Sequence, residues 1–224
     1  VDVEKGLRAE LIAALSIGFD CWEHVPVRHV VFTDHVLVAD VVAIPHDQDF
    51  SGLTFAFEVK NPTVKKVREP PYWTRAIHQA ADYVYATPEA GSGIEQLAGR
   101  RISCAFIFPT NVLANPDIRT CGYDEVSDYN RIQGAFEVAV HSKVGKARWE
   151  KAGRVEKGRL DLWLGNDVWR SDVGFRTHAP GILRGKRALG SRQVDILGEL
   201  DGIDVQAVRK SGILTNDPPL PDVL

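Results

Sequence analysis

The sequence has no methionine, only three cysteines and no long apolar run, and each shortage removes a class of protein. With methionine missing throughout, Val1 is not expected to be the natural first residue. Cys21, Cys104 and Cys121 are odd in number, widely spaced and form no CxxC pair, so they read as reduced thiols rather than a disulfide framework or zinc site. His24, His46, His141 and His178 add no HExxH or paired ligand spacing. A membrane span needs about 18 or more consecutive apolar residues, and nothing here approaches that. No basic, apolar leader supports secretion, so the expected location is the cytoplasm or nucleoid, without a membrane partner. The phosphate-binding patterns GxxxxGK and GxGxxG are missing as well, which leaves ATP and dinucleotide chemistry without a motif.

Positive charge is also in short supply, with a formal net charge of −3. That total does not exclude a nucleic-acid partner, because acidic groups at a metal site can offset basic groups that touch phosphates elsewhere. The basic residues are unevenly spread. From His141 to Arg159 the chain carries Lys143, Lys146, Arg148, Lys151, Arg154, Lys157 and Arg159 against Glu150 and Glu156. Such a stretch is either a solvated surface hairpin or a phosphate-contacting surface.

At 224 residues the chain can build one substantial core with an appendage. Leu7, Leu11, Ile12 and Leu15 recur at helical spacing within residues 3–16. VPVRHVVF and VLVADVVAI read as an antiparallel strand pair. LTFAFEVK reads as a third strand, with Phe55 and Phe57 on one face and Thr54, Ala56 and Glu58 on the other. After the proline-containing loop KKVREPPYW, the pattern predicts a helix over 73–87, a buried strand at ISCAFIFP and a helix over 129–140. This order implies an α/β fold in which helices flank a central mixed β-sheet. The boundary falls near residue 140: residues 1–140 form the core, and 141–224 form a strand-rich C-terminal extension packed on it.

Within this framework two carboxylates stand where apolar residues are expected. Asp40 interrupts VLVADVVAI, and Glu58 interrupts LTFAFEVK. A buried carboxylate without a partner is costly, and bound metal is one way to satisfy it. Lys60 lies two positions beyond Glu58, on the same strand face. Asp40 and Glu58, completed by the Val59 carbonyl, offer hard oxygen ligands to Mg²⁺, for which Mn²⁺ is expected to substitute. Lys60 is placed to orient or deprotonate an attacking water. Gln79 and Tyr83 share one helical face a short loop later, suited to holding phosphate oxygens or orienting the lysine.

Those pieces, VLVADVVAI, FEVK and HQAADY, resemble the PD-(D/E)XK nuclease superfamily, and more narrowly its branches with a QxxxY helix, such as RecB-like exonucleases and archaeal-type resolvases. The resemblance covers about residues 3–110, and residues 111–224 match nothing comparable. It implies a restriction-endonuclease-like core, Mg²⁺-dependent hydrolysis of DNA, and a glutamate from the first helix. Glu10 is the matching residue, with Glu4 as the alternative. Ala39 stands where the motif's proline would be, which bears on the branch more than on activity.

DNA is thus the expected partner, with repair, recombination or mobile-element processing as the setting and a homo-oligomer as one arrangement. Lys65, Lys66, Arg68, Arg75, Lys143, Lys146 and Arg148 are the candidate DNA contacts. Arg28, His35, His78 and a base-stacking Trp73 are lesser ones. Two other classes compete with a nuclease. One is a DNA-binding protein that keeps the fold but not the chemistry. The other is an interaction domain in which these charges form an internal salt bridge, with the Lys60 ammonium directly on Asp40 or Glu58.

Overall fold

The computed structural model describes residues 2–32, 34, 36–61, 70–89, 91, 93–110, 123–150, 159–165, 167–171 and 174–177. Helix α1 (Val3–Leu15) starts where the Asp2 side chain accepts from the Lys5 N–H at 3.2 Å, the usual N-cap geometry. Two long strands follow, β1 (Phe19–His29) and β2 (Val36–Pro45), paired antiparallel. β1 begins earlier than its valine run suggests. It carries an irregularity at His24, whose φ of 50° is left-handed and whose register position faces Asp40. Strand β3 (Phe55–Val59) is buried along its whole length.

Helix α2 (Pro70–Val84) opens on two prolines, which lack the N–H that a first helical turn leaves unpaired anyway. It also stops earlier than predicted. Ala86–Pro88 instead forms a short strand, β4, paired antiparallel to β1. Strand β5 (Cys104–Phe108) lies parallel to β3, as a buried run on both faces requires. Helix α3 (Tyr123–Ala139) is longer than its sequence period indicates, and Ile132, Phe136 and Ala139 give it a buried stripe.

The later strands β6 (Val144–Glu150), β7 (Arg159–Leu164), β8 (Asp167–Arg170) and β9 (Gly174–Thr177) extend the same sheet. β6 joins β5 in parallel, and the rest follow as antiparallel neighbours. The described strands therefore make one open mixed sheet in the order β4-β1-β2-β3-β5-β6-β7-β8-β9. Residues 178–224 of the expected strand-rich extension lie outside the described residues.

Alternation along the strands divides the core. Ala56, Ala105, Ile107 and Val144 pack beneath α2 and α3 together with Trp73, Tyr83 and Phe136. On the other face Phe55, Phe57, Phe106 and Phe108 pack with Leu11 and Leu15 of α1 and with Leu160, Leu162 and Trp169. The predicted division of Phe55 and Phe57 from Ala56 and Glu58 is the one observed. No helix among the described residues is long and apolar enough to cross a membrane.

Candidate active site

The site forms where β2 and β3 part. Their ladder pairs Val41 with Phe57 and is not continued to Asp40 and Glu58, whereas β3 stays paired to β5 as far as Val59. The Val59 N–H left without a β2 carbonyl donates instead to Asp40 Oδ2 at 2.7 Å. Asp40 is thus held in the notch with its side chain 24% exposed.

Glu58 points from the same notch toward α2 and is only 3% exposed. One carboxylate oxygen meets the Lys60 ammonium and the other meets the Tyr83 hydroxyl. Lys60 also donates to Gln79 Oε1 at 3.2 Å, and the Gln79 amide donates to the Tyr83 oxygen at 3.1 Å. The four side chains close a ring. The Tyr83 hydroxyl lies 3.0 Å from the Val38 carbonyl as well, but it has one proton to donate.

Burial pushes the Glu58 carboxyl above the ordinary carboxylate range. Lys60 and the Tyr83 hydrogen bond pull it back, and the negative charge of Asp40 pushes it further up. Burial, then the Glu58 charge, likewise holds the proton on Tyr83. The network therefore brings two carboxylates into one notch, with Lys60 on Glu58 and the Arg8 guanidinium 3.9 Å from Asp40 to balance them.

Residues singled out in the sequence divide clearly. Asp40, Glu58, Val59, Lys60, Gln79 and Tyr83 come together. Glu10 does not: it is exposed and about 200° around α1 from Arg8, the residue of that helix that faces Asp40. Glu4, one turn before Arg8, is the helix carboxylate that reaches the site, accepting the Asn61 N–H at 3.1 Å. Arg75 is exposed one turn before Gln79 on α2, and Lys143 sits at a left-handed turn with φ 55°. Lys146 and Arg148 line a cleft beside α3. Arg28 forms an ion pair with Glu89. Lys65, Lys66, Arg68 and His35 lie outside the described residues. Trp73 is not a base platform. It is fully buried, with its ring 5.8 Å from Phe136.

Two residues escaped the sequence reading. Arg8 is buried, 8% exposed, with its guanidinium 3.5 Å from Glu23 and 3.9 Å from Asp40. Tyr72 donates to the Asn61 carbonyl at 3.2 Å, and burial, then the charges of Glu4 and Glu58, push its phenol upward. Tyr72, Gln79 and Tyr83 stand at i, i+7 and i+11, a stripe visible in the sequence.

The donor set suits Mg²⁺, which is commonly held by one or two carboxylates and takes its remaining ligands from water and substrate phosphate. Asp40 Oδ1 is beyond hydrogen-bond reach of Arg8, at 3.9 Å. No group of three or more His, Cys, Asp or Glu side chains that would cage a cation occurs among the described residues. Comparison with family models, with curated proteins and with solved structures found no match to this chain.

Proposed function

We propose that the chain is a Mg²⁺-dependent deoxyribonuclease built on a restriction-endonuclease-like core, with its catalytic centre at Asp40, Glu58 and Lys60. The observation that carries this is the closed ring of Glu58, Lys60, Gln79 and Tyr83 beside Asp40. Residues from two separate motifs converge on one carboxylate at the place where the sheet opens.

Asp40, Glu58 and the Val59 carbonyl would hold the metal. Bound there, Mg²⁺ supplies charge against the scissile phosphate and acidifies a coordinated water. Lys60 has two partners in reach, Glu58 and Gln79, so its ammonium can leave the carboxylate without losing every acceptor. In that position it holds the attacking water or balances charge on the phosphorus oxygens. Gln79 fixes the lysine from one side, and Tyr83 fixes Glu58 from the other. Arg8 and Tyr72 flank Asp40 and Asn61, where a phosphate oxygen would find a cation and a hydroxyl.

A second reading is favoured by one contact. Lys60 rests directly on Glu58, as an internal salt bridge in a protein without catalysis would have it. The two differ in their response to metal. Incubating the protein with Mg²⁺ or EDTA on end-labelled duplex, single strand, closed circular plasmid and four-way junction separates them. Mg²⁺-dependent cutting supports the nuclease. Intact substrates in every lane, from folded protein, support the non-catalytic readings, and retained DNA binding then separates the DNA-binding protein from the interaction domain.

A further inference from the structure

We propose that the cleft between α3 and the β6–β7 pair is a binding site for one nucleotide, with its base against Trp163 and its phosphate on Lys146 and Arg148. This extends the assignment of DNA as partner, but it does not depend on catalysis at Asp40, Glu58 and Lys60.

The cleft holds about 250 Å³. That is just below the range of small-molecule pockets, about 300–1,000 Å³, so it suits part of one nucleotide rather than a duplex. Its chemistry is a mixture of aromatic surface and cations. The Arg148 guanidinium stacks 5.1 Å from the centre of the Trp163 ring, and the Lys146 ammonium sits 5.3 Å from the centre of Phe136. Guanidinium and indole together form the kind of surface on which bases stack without sequence preference. The indole N–H of Trp163 is buried and has no acceptor among the described residues.

Lys146 and Arg148 are two apart on β6 and so lie on one face of the sheet. Lys146 donates to Gln133 Oε1 at 2.9 Å. Burial first, then repulsion from Arg148, lowers the readiness of Lys146 to carry its charge, and Glu137 opposes that shift. Glu137 on α3 is the one acid among the described residues lining the cleft, against two cations, and Asp161 stands opposite Arg148 in the β6–β7 ladder. A phosphate would relieve the repulsion between them. Gly145 has a structural reason for being glycine, since a Cβ there would strike the Trp163 carbonyl and the Phe106 ring. Lys146 pairs with Ile107 and Ile107 with Glu58, which places the cleft two strands from the catalytic notch, or about 10 Å along the row.

A nucleotide can arrive as part of a DNA strand or free. Calorimetry on the Lys60→Ala protein in EDTA, where cutting plays no part, tests both. The probes are dAMP, thymidine monophosphate, deoxyribose 5-phosphate, inorganic phosphate and a short single-stranded oligonucleotide. Saturable binding of both mononucleotides is expected, with the two baseless phosphates bound more weakly. Trp163→Leu is expected to weaken nucleotide binding about tenfold by removing the stacking surface. Lys146→Met is expected to do roughly the same by removing a charged hydrogen bond. Glu137→Gln, at an exposed position, is expected to tighten binding, a gain that misfolding cannot produce. Binding of the oligonucleotide alone, still dependent on Trp163 and Lys146, would assign the site to a strand within DNA. The proposal is overturned if neither form binds, if inorganic phosphate binds as tightly as dAMP, or if none of the three substitutions changes affinity. Failure of the cleavage assay leaves these outcomes untouched.

Discussion

Glu58 and Asp161 are both carboxylates buried within strands of one sheet, at 3% and 0% exposure, yet their surroundings differ in kind. Asp161 accepts from Arg159 at 2.8 and 3.3 Å and has Arg170 3.7 Å away, while Arg148 stands opposite it in the ladder. Guanidinium groups always carry charge and match a carboxylate in geometry, so Asp161 is held by fixed cations. Glu58 has one flexible lysine, one phenol and a second carboxylate across the notch. A buried acid surrounded by arginine is a fixture of the fold. One that faces another acid across a gap in the ladder is where the proposed metal would take the place of the lysine.

The largest expected effect is at the Asp40–Glu58 notch. Asp40→Asn removes half of the carboxylate pair and is expected to lower Mg²⁺-dependent cleavage by about 10³-fold, on the scale of losing a main source of transition-state charge stabilisation. Single-turnover cleavage of labelled DNA measures it. Next is the structural side. Asp161→Asn leaves its arginines without a counter-charge and is expected to cost about 3 kcal/mol in urea unfolding, with cleavage per folded molecule kept. Wild-type unfolding of that variant would remove the distinction between the two acids.

Tyr83→Phe should combine both kinds of effect on a smaller scale. Losing the hydroxyl leaves one Glu58 oxygen and the Gln79 amide without a buried partner, for about 1–2 kcal/mol of stability. Cleavage is expected to drop as well, because Glu58 is no longer fixed, and kcat is the constant that should move. The smallest effect separates two glutamates on α1. Glu4→Gln is expected to lower cleavage several-fold, about 1 kcal/mol, through its hold on the Asn61 N–H. Glu10→Gln, being exposed away from the site, should change nothing, and equal effects from both would place the helix wrongly.

The notch and its side chains were legible because polar residues broke an apolar pattern. Asp40 and Glu58 are conspicuous among valines and phenylalanines, and Lys60, Gln79 and Tyr83 follow from periods of two and four. Less was readable on α1, since a helical stripe does not say which of its turns faces the sheet's open end. The stripe Arg8, Leu11 and Leu15 is buried as a unit, which selects Glu4 one turn earlier, but only the packed structure shows this. Trp73 was misjudged by taking it as the helix start. With the helix opening at Pro70, Trp73 joins Ile77, Ala80 and Val84 on the buried stripe. The end of α2 was hidden for another reason. Ala86–Pro88 gains a partner in β1, and a pairing so distant in sequence leaves no local trace.

The same limit applies to the later strands. The strand-rich character of the C-terminal part was readable, but not that its strands would extend the main sheet through β6 and β5. Pairing of β6 with β5 in parallel depends on α3 crossing between them, and residues 111–122 before it carried no readable period.

Cleavage by Lys60→Ala and Asp161→Asn, measured side by side with wild type in Mg²⁺ on the substrate that wild type cuts best, tests the central claim most directly. Lys60→Ala should be folded, should still bind DNA and should lose cleavage about 10²–10⁴-fold. Asp161→Asn should be less stable and still cut. A Lys60→Ala protein that cuts like wild type would show that the ring around Glu58 is not the catalytic centre.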